Sequence, residues 1–432
     1  MAEPVKIEPA AAVVGHIGVP GDKSISHRAV LIGAVCEGET RVEGFGRSHD
    51  TESTVDAMRA LGIEVVEEDV DVLVVHGRGL QGLRPPAEPI DCGNADTLLK
   101  LLMGLLAGQE GDFVLSGDES LRGRPLEDLA EALRRMGAKI ETNDGRPPVR
   151  IEGAELHAEE HRLDRASAQT KSTLLLAGMQ ASGGRTVVYE PYYTRDHTET
   201  MLRAAGAPVK RSGRAVSIER VDALRLGQVE VPGDISSGAP FVTAATLVPG
   251  SELSIHGVGV NPFRTGLLDV LARMGARIAV FDRRRLGGEA VADLEVRSAP
   301  LTATTVRKSE VPRMIDELPL FALAAGMARG ESLVRGAAQL REKETDRIET
   351  VTNVLRSLGV RITASEDGFR VRGVPTRPKG GGPVHSGGDH RIAMLAAVAG
   401  LVSREGVELQ DPESVSVSFP GFFDLLESVT QR

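Results

Sequence analysis

Aromatic residues and cysteines are scarce in this chain of 432 residues. Only 3% of the residues are aromatic, none is tryptophan, and two are cysteines. Two cysteines exclude a disulfide framework of the kind that stabilises small secreted domains. The core must therefore be built mainly from aliphatic side chains and methionine. The length predicts at least two domains, because single hydrophobic cores stop growing at about 250–300 residues.

The chain also lacks long apolar runs and an excess of positive charge. No run approaches the roughly 18 apolar residues of a membrane span, so we expect no membrane partner. The N-terminal segment MAEPVKIEPA shows no signal-peptide pattern, and we expect a cytoplasmic location. The net charge of −10 argues against a nucleic-acid partner. A small anionic substrate is compatible with this charge, since a few clustered cations can make a local positive cleft.

One short pattern recurs five times along the chain. A stretch with apolar spacing near that of a helix is followed by a glycine and then by alternating residues, and the glycines are Gly62, Gly137, Gly206, Gly275 and Gly359. The pattern predicts a helix, a glycine C-cap and a strand. With the segment 422–429 as an unfinished sixth copy, the chain would contain six α/β units. At about seventy residues each, these exceed a minimal βαβ unit and should hold additional strands.

A second repeat links the start of the chain to its middle. Residues 19–24 read VPGDKS, and residues 231–236 read VPGDIS. Each copy precedes an apolar helix, which predicts two similar halves. The alternative is a chance recurrence, because Pro-Gly-Asp is a common turn tripeptide.

The first copy carries residues suited to an anion. Lys23 and Ser24 stand at the predicted helix start, and Arg28 follows about one turn later. Free backbone N–H groups and the helix dipole favour anions at this position. The spacing of a nucleotide-binding P-loop is missing. An ordinary capped helix without a ligand is an equal alternative.

Other helix starts are also rich in charge. The segments 315–319, 341–347 and 389–394 combine acidic and basic residues, and the segments 122–125, 167–171 and 194–197 add further polar donors. Such runs are most often solvated surface. If the helices are parallel, however, their N-termini would converge on a polyanion site. His157 and His161 lack further ligands, so we expect no metal there.

Nine segments, in this order, resemble the 5-enolpyruvylshikimate-3-phosphate synthase family. They read GVPGDKSISHRA, SLRGRPLEDL, SAQTKSTLLLAG, TRDHTETML, VPGDISSGAPF, IDELPLFALAA, REKETDRIE, GGDHRIAM and VSFPGFF, and they extend from Gly18 to Phe423. The resemblance implies an α/β fold with two domains, each an inside-out α/β barrel of three βαβαββ units. The first domain would comprise 1–20 plus 233–432, and the second 21–232. The domains would close on the substrates.

The resemblance also implies an activity. Members transfer the enolpyruvyl group of phosphoenolpyruvate to the 5-hydroxyl of shikimate 3-phosphate, a step of aromatic amino acid biosynthesis. No metal or organic cofactor is implied, the expected state is a monomer, and the inhibitor glyphosate would occupy the phosphoenolpyruvate site.

Site residues follow by position in the matching motifs. Asp316 would be the general base, and Glu344 with Lys23 would handle the proton delivered to the methylene carbon. The residues implied to contact shikimate 3-phosphate are Lys23, Ser24, Arg28, Ser167, Ala168, Gln169, Thr194, Arg195, Asp316, Gln339 and Lys343. Those implied to contact phosphoenolpyruvate are Lys23, Asn94, Asp96, Arg124, Gln169, Arg347 and Arg391.

The chain departs from the family pattern at two positions. Asp96 replaces a glycine or alanine, and Lys100 replaces an arginine. An acidic side chain should repel phosphoenolpyruvate. Three hypotheses follow: Asp96 points at Lys100 or an arginine and binding is normal; the pocket is narrowed and glyphosate binds poorly; or activity is weak or altered. The last includes a non-catalytic or altered-acceptor paralogue that binds a sugar-acid phosphate.

Overall fold

The computed structural model describes residues 3–432, which form two compact units. The first unit comprises the residues up to Pro20, Pro232–Arg284 and Ala290–Arg432, and the second comprises Gly21–Val231 and Arg285–Glu289. The sequence analysis placed Arg285–Glu289 in the first domain. These five residues pack with the second unit, where Glu289 Oε1 lies 2.8 Å from His197 Nδ1.

Short strands make up the sheets of both units. In chain order they are β1 (Val5–Ile7), β2 (Ala12–Gly18), β3 (Glu37–Glu43), β4 (Glu64–Asp69), β5 (Val72–Arg78), β6 (Ile90–Asp91), β7 (Asp112–Ser116), β8 (Lys139–Asn143), β9 (Arg146–Glu152), β10 (Glu160–Arg162), β11 (Arg185–Tyr189), β12 (Lys210–Ser212), β13 (Ala215–Glu219), β14 (Gln228–Glu230), β15 (Glu252–Gly259), β16 (Arg277–Leu286), β17 (Glu289–Arg297), β18 (Thr305–Val306), β19 (Gly330–Val334), β20 (Arg361–Ser365), β21 (Gly368–Gly373), β22 (Pro383–Val384), β23 (Val407–Leu409) and β24 (Thr430–Gln431).

The α-helices alternate with these strands. They are α1 (Lys23–Ala34), α2 (His49–Ala60), α3 (Asp96–Leu106), α4 (Glu119–Arg122), α5 (Glu127–Arg135), α6 (Ala168–Gly178), α7 (His197–Ala204), α8 (Ile235–Leu247), α9 (Gly266–Met274), α10 (Leu318–Met327), α11 (Arg347–Ser357), α12 (His390–Val402) and α13 (Phe422–Ser428). Short 3₁₀ helices cover Val311–Arg313, Ile315–Glu317, Ala338–Glu342 and Pro412–Val417.

Each unit contains three sheets of related topology. The strand orders in the second unit are β14-β3-β5-β4, β6-β7-β9-β8 and β10-β11-β13-β12. In the last two, a parallel pair connected through a helix is followed by an antiparallel hairpin. This is the βαβαββ unit, and it confirms the additional strands expected from the length of the repeat.

The first unit has the orders β18-β19-β21-β20, β16-β17-β15-β2-β24 and β1-β23-β22. The last sheet belongs to the sixth copy, in which the predicted segment 422–429 forms α13 and is followed by β24, which pairs with β2. Its parallel strands β22 and β23 are joined through α12, and β1 from the start of the chain pairs with β23 in place of a hairpin.

The five repeated glycines end five helices in the predicted way. Gly62 follows α2 with φ +85°, and the N–H of Ile63 donates to the carbonyl of Met58 at 2.9 Å. This is the Schellman arrangement, which needs a residue with positive φ and therefore favours glycine. The same bonds follow α5, α7, α9 and α11, and each glycine is followed closely by a strand.

The helices occupy the interior and the sheets surround them. In the second unit α3 packs against both α1 and α6, and in the first unit α8, α10 and α12 pack on one another. All thirteen residues of α8 are buried, as expected for a helix that is apolar on every side. The predicted inside-out arrangement is confirmed in this sense. The strands form separate sheets, however, and no closed barrel of strands is found among residues 3–432.

Candidate functional site

The N-terminus of α1 is fixed by two backbone segments that approach closely. A Cβ at Gly21 would lie 1.9 Å from the carbonyl oxygen of Gly44, and a Cβ at Gly46 would lie 2.1 Å from that of Gly21. Only glycine fits at either position. Asp22 caps the helix by accepting a hydrogen bond from the N–H of Ile25. The turn thus places the residues after Asp22 at the positive end of the helix dipole.

Lys23 and Ser24 are engaged at this helix start. Lys23 Nζ lies 2.6 Å from Asp50 Oδ2, and the lysine side chain keeps 20% of its surface exposed. Arg195 Nη1 donates to Ser24 Oγ at 3.1 Å. A partly exposed ammonium and a guanidinium therefore meet at one helix N-terminus, which is an arrangement suited to an anion.

Arg28 is almost fully buried one turn further along α1. Its Nε donates to Thr198 Oγ1 at 2.6 Å and its Nη1 to the carbonyl of Ser24 at 2.9 Å. Its Nη2 donates to Gln169 Oε1 at 3.0 Å and to Ser172 Oγ at 3.1 Å. Because the guanidinium has a planar fork of donors, these bonds fix α1 against α6 and α7.

Gln169 connects this cluster to α3. Its amide Nε2 donates to Thr97 Oγ1. Close by in the chain, Asn94 Oδ1 accepts from Arg124 Nη2 at 3.2 Å, and Asn94 Nδ2 donates to Asp118 at 2.7 Å. Asn94 and Arg124, which are 30 residues apart in the chain, are thereby brought together.

Asp96 stands at the first position of α3 and points at Lys100. Lys100 Nζ lies 2.8 and 2.9 Å from the two carboxylate oxygens, and Arg124 Nη1 lies 4.0 Å away. An acidic residue in the first turn also interacts favourably with the helix dipole, and the i,i+4 spacing suits an ion pair. The two departures from the family pattern are therefore partners of each other. This geometry is the one that the first hypothesis for Asp96 describes.

A second cluster, in the first unit, surrounds the buried Arg347. Its Nε and Nη2 donate to the two oxygens of Asp389 at 2.8 and 3.0 Å. Its Nη2 also lies 2.5 Å from Glu344, and its Nη1 lies 3.4 Å from Asp316. Burial alone would lower the pKa of Arg347, but the three carboxylates more than offset this and raise it. Arg347 thus stays charged and holds both predicted catalytic carboxylates.

Asp316 lies between cations and a buried acid. Lys343 Nζ is 3.4 Å from its Oδ1, and Glu317, which follows it in the chain, is buried. Burial raises the pKa of Glu317, and the neighbouring Asp316 charge raises it further. The two adjacent carboxyl groups therefore differ in environment, since Glu317 is buried and the Asp316 side chain keeps 15% of its surface exposed.

The second Pro-Gly-Asp copy supports this cluster. Asp234 caps α8 and accepts from Arg264 Nη2 at 3.0 Å. Arg264 also donates to Ser236 Oγ at 2.7 Å, and Ser236 donates to Glu317. The carbonyl of Ser236 accepts from Arg391 Nη1 at 3.2 Å. The copy therefore positions one of the arginines expected to contact phosphoenolpyruvate.

The remaining predicted residues lie at helix starts or in loops. Ser167 caps α6 and accepts from the N–H of Thr170 at 3.1 Å, Ala168 is the first residue of that helix, and Gln339 lies in the 3₁₀ helix before Lys343. Thr194 is buried, and its hydroxyl donates inward to Glu190. Its contact with shikimate 3-phosphate stays a prediction.

Sequence reasoning missed several supporting residues. They are Asp50, Thr97, Lys171, Ser172, Glu190, Thr198, Glu199, Arg211, Arg264 and Asp389. Most are single polar residues whose partners are distant in the chain. One signal was visible: Lys171 precedes the apolar run STLLLAG, and a lysine within a buried helix must find carboxylate partners.

No group of metal ligands is found among residues 3–432. His161 Nδ1 accepts a hydrogen bond from Arg135 Nη2 at 3.3 Å. Nor is any helix in this range long and apolar enough to cross a membrane.

Comparison with known proteins gives one consistent result. The sequence model of the EPSP synthase family, described as 3-phosphoshikimate 1-carboxyvinyltransferase, matches residues 7–426. A protein named 3-phosphoshikimate 1-carboxyvinyltransferase from Alkalilimnicola ehrlichii is 48% identical, covering 97% of this chain and 94% of the relative. One of the same name from Citrifermentans bemidjiense is 46% identical, covering 99% of both.

Solved structures agree with the sequence matches. EPSP synthase from Acinetobacter baumannii superposes with a TM-score of 0.87 at 40% identity, over 99% of this chain and 98% of that one. The enolpyruvyl transferase NikO from Streptomyces tendae gives a TM-score of 0.80 over the same shares at 20% identity. The second likeness bears on the fold alone.

Proposed function

Since this chain belongs to the EPSP synthase family, we propose that it transfers the enolpyruvyl group of phosphoenolpyruvate to the 5-hydroxyl of shikimate 3-phosphate and releases phosphate. The reaction is a step of the shikimate pathway to chorismate and the aromatic amino acids. The observation that best supports this function is the cluster in which buried Arg347 holds Asp316 and Glu344 together.

Asp316 acts as the general base in this proposal. The ring hydroxyl is a weak nucleophile, so a carboxylate must take its proton as oxygen attacks carbon 2 of phosphoenolpyruvate. Lys343 Nζ and Arg347 Nη1 each lie 3.4 Å from Asp316 Oδ1 and so hold the Asp316 side chain in place. Its 15% exposed surface leaves the carboxylate accessible to a hydroxyl.

Glu344 and Lys23 handle the proton at the methylene carbon. Protonation of that carbon makes carbon 2 electrophilic. After addition, removal of a proton from the same methyl carbon re-forms the double bond as the carbon–oxygen bond to phosphate breaks. Glu344 is 15% exposed and contacts Arg347 Nη2. The tetrahedral adduct carries two phosphates and carboxylates, so several fixed cations are needed to stabilise it.

The anion contacts follow the two clusters. Lys23, Ser24, Arg28 and Arg195 are assigned to shikimate 3-phosphate, together with Ser167, Ala168, Gln169, Thr194, Asp316, Gln339 and Lys343. Lys23, Arg124, Arg347 and Arg391 are assigned to phosphoenolpyruvate, together with Asn94, Asp96 and Gln169. Hydrogen bonds among Ser24, Arg28, Gln169 and Arg195 support the first assignment, because a preorganised set of donors binds an anion at lower entropic cost.

Asp96 leaves phosphoenolpyruvate binding intact in this account. Its carboxylate is neutralised by Lys100 and lies near Arg124. We therefore expect equal glyphosate inhibition constants for the wild type and Asp96→Gly. Tighter inhibition of the variant would favour the narrowed pocket instead. A non-catalytic sensor is disfavoured, because both catalytic carboxylates are present and held by Arg347.

Phosphate release tests the function directly. The purified protein is mixed with shikimate 3-phosphate and phosphoenolpyruvate, alone and together, with Asp316→Asn as the control. We expect release only with both substrates, and a loss of about 10²–10⁴-fold in the variant. Release that needs only one substrate, or that survives in Asp316→Asn, would refute the assignment. The monomeric state and cytoplasmic location also stay proposals, and sedimentation of the purified protein tests the first.

A further inference from the structure

A fully buried lysine lies behind the loop that carries Thr194 and Arg195. The side chain of Lys171, on α6, has no exposed surface, and its Nζ lies 3.1 Å from Glu190 and 2.8 Å from Glu199. Both carboxylates are also fully buried. Arg211 contacts the same two residues at 3.1 and 2.9 Å. Two cations and two carboxylates thus form a compact cluster in the second unit, in which Arg211 alone keeps some exposed surface, 19% of its side chain.

Lys171 also contacts the backbone of the loop itself. Its ammonium donates to the carbonyl of Arg195 at 3.1 Å and lies 3.5 Å from that of Thr194. Glu190, at the end of β11, accepts from the Thr194 hydroxyl. Lys171 and Glu190 therefore fix the loop between β11 and α7 at two successive residues, Thr194 and Arg195.

The first turns of α6, on either side of Lys171 in the chain, also contribute residues to the anion cluster. Gln169, two residues earlier, and Ser172, the next residue, both accept from Arg28 Nη2. On the other side of the loop, Arg195 Nη1 reaches Ser24 Oγ. A single short segment of α6 therefore fixes both arginines that are assigned to shikimate 3-phosphate.

We propose that Lys171 is a positioning residue for shikimate 3-phosphate. Through its contacts with the carbonyls of Thr194 and Arg195, Lys171 fixes the position and orientation of the loop that carries these two residues. The proposal rests on the assignment of Arg195 to that substrate. Charge balance alone does not require a lysine here, since one carboxylate fewer would balance Arg211 equally well. What a lysine adds is a compact ammonium with three donors, able to reach the loop carbonyls and the carboxylates together.

The test separates charge balance from the carbonyl bonds. Lys171→Met leaves two buried carboxylates against Arg211 alone, which is expected to be strongly destabilising. Lys171→Met/Glu199→Gln restores the balance but lacks the donors to the loop, while Glu199→Gln alone keeps those donors. Lys210→Met, at an exposed lysine of the same unit, is the matched control. Binding of shikimate 3-phosphate to the free enzyme is measured by calorimetry, with unfolding temperatures and the KM for phosphoenolpyruvate in parallel.

We expect the double variant to regain most of the unfolding temperature lost in Lys171→Met, yet to bind shikimate 3-phosphate about tenfold more weakly than the wild type. Its KM for phosphoenolpyruvate should stay nearly unchanged. Glu199→Gln should retain most of the affinity. Wild-type affinity in the double variant would overturn the proposal. If the double variant does not fold, Glu199→Gln decides, because a tenfold loss there would assign the effect to charge rather than to the carbonyl bonds.

Arg195→Ala distinguishes this inference from the proposed function. If the wild type binds shikimate 3-phosphate and Arg195→Ala weakens it while the double variant does not, only the role of Lys171 fails. If the wild type does not bind the compound, or Arg195→Ala leaves its affinity unchanged, the substrate assignment fails and the inference fails with it.

Discussion

The two Pro-Gly-Asp copies form similar helix starts, but they differ in the side chain that follows the aspartate. In both, an aspartate, Asp22 or Asp234, caps an apolar helix, and in both a serine follows two residues later. Between them the first copy has Lys23 and the second has Ile235. Lys23 keeps part of its surface exposed beside Asp50, whereas Ile235 is buried in the core of the first unit.

In the proposed function, this difference gives the two turns separate roles: the first contacts a substrate, and the second supports neighbouring side chains. In the first copy the helix N-terminus presents a cation, and Ser24 meets Arg195. In the second copy, Arg264 lies at the helix N-terminus, where it contacts Asp234 and Ser236. The second copy contacts the site through Ser236, whose carbonyl accepts from Arg391 and whose hydroxyl donates to Glu317.

The largest expected effect comes from converting the first copy into the second. Lys23→Ile removes the exposed cation without disturbing the cap, so kcat should fall by about 10²–10⁴-fold, the range for loss of a proton-transfer group. The unfolding temperature should fall modestly, because Asp50, whose side chain is 8% exposed, loses its ion-pair partner. Steady-state phosphate release and thermal unfolding measure the two quantities. Near-normal turnover would show that the cation of the first copy is dispensable.

The reverse conversion should mainly lower the free energy of unfolding. Ile235→Lys places an ammonium in the core, and burying a charge without a designed partner costs several kcal/mol. We expect a loss of about 3–5 kcal/mol in the free energy of unfolding, by analogy with an uncompensated buried charge. Denaturant unfolding measures it, with Ile235→Val as the matched apolar control. A loss no larger than that of the control would mean that the second copy tolerates the chemistry of the first.

A smaller effect is expected where the chain departs from its family. Lys100→Met leaves the Asp96 carboxylate facing Arg124 without its nearest cation, so the KM for phosphoenolpyruvate should rise about tenfold. The KM for shikimate 3-phosphate should change little. In Asp96→Ala/Lys100→Met the repulsion disappears, and most of the loss should be recovered. An additive loss in this double variant would contradict the neutralising role of Lys100.

The smallest effect concerns pH and the helix of the first copy. Burial, together with the charges of Lys23 and Arg28, holds the pKa of His27 well below its usual range, so His27 is neutral when folded. Its stabilising contribution is complete above the unfolded pKa of about 6.5 and is lost as the pH falls below it. Between pH 7.5 and 5.5 the wild type should therefore lose more stability than His27→Asn, as measured by denaturant unfolding at the two pH values.

The matched control for this experiment is His157→Asn, at an exposed histidine. It should show the same pH dependence as the wild type. If His27→Asn also follows the wild type, then His27 is not the group that titrates on unfolding.

Local sequence signals predicted most of the fold. The five glycines gave helix ends and strand starts correctly, because a Schellman cap depends on residues adjacent in the chain. The incomplete sixth unit and the strands added to each repeat were also confirmed. The placement of Arg285–Glu289 with the second unit was missed, since it depends on contacts between residues distant in the chain, such as that between His197 and Glu289, which no local pattern indicates.

The site was predictable only where motifs carried it. The family motifs gave Lys23, Asp316, Glu344 and Arg347 as candidate site residues, but they did not indicate that Arg347 contacts both carboxylates. Residues that act through others, such as Lys171 and Arg264, were not found. Their partners are distant in the chain, and burial, which decides what a charged side chain must contact, cannot be read from one position.

The central claim is that the first Pro-Gly-Asp copy contacts substrate, whereas the second supports neighbouring side chains. The most direct test of this claim is the same substitution in each copy. Ser24→Ala and Ser236→Ala are compared by calorimetry with shikimate 3-phosphate, with unfolding temperatures measured alongside. We predict that Ser24→Ala weakens binding about tenfold or more at an unchanged unfolding temperature. Ser236→Ala should keep the affinity and lower the unfolding temperature, because Glu317 and Arg264 lose a buried partner. Equal effects of the two variants on binding would contradict the account.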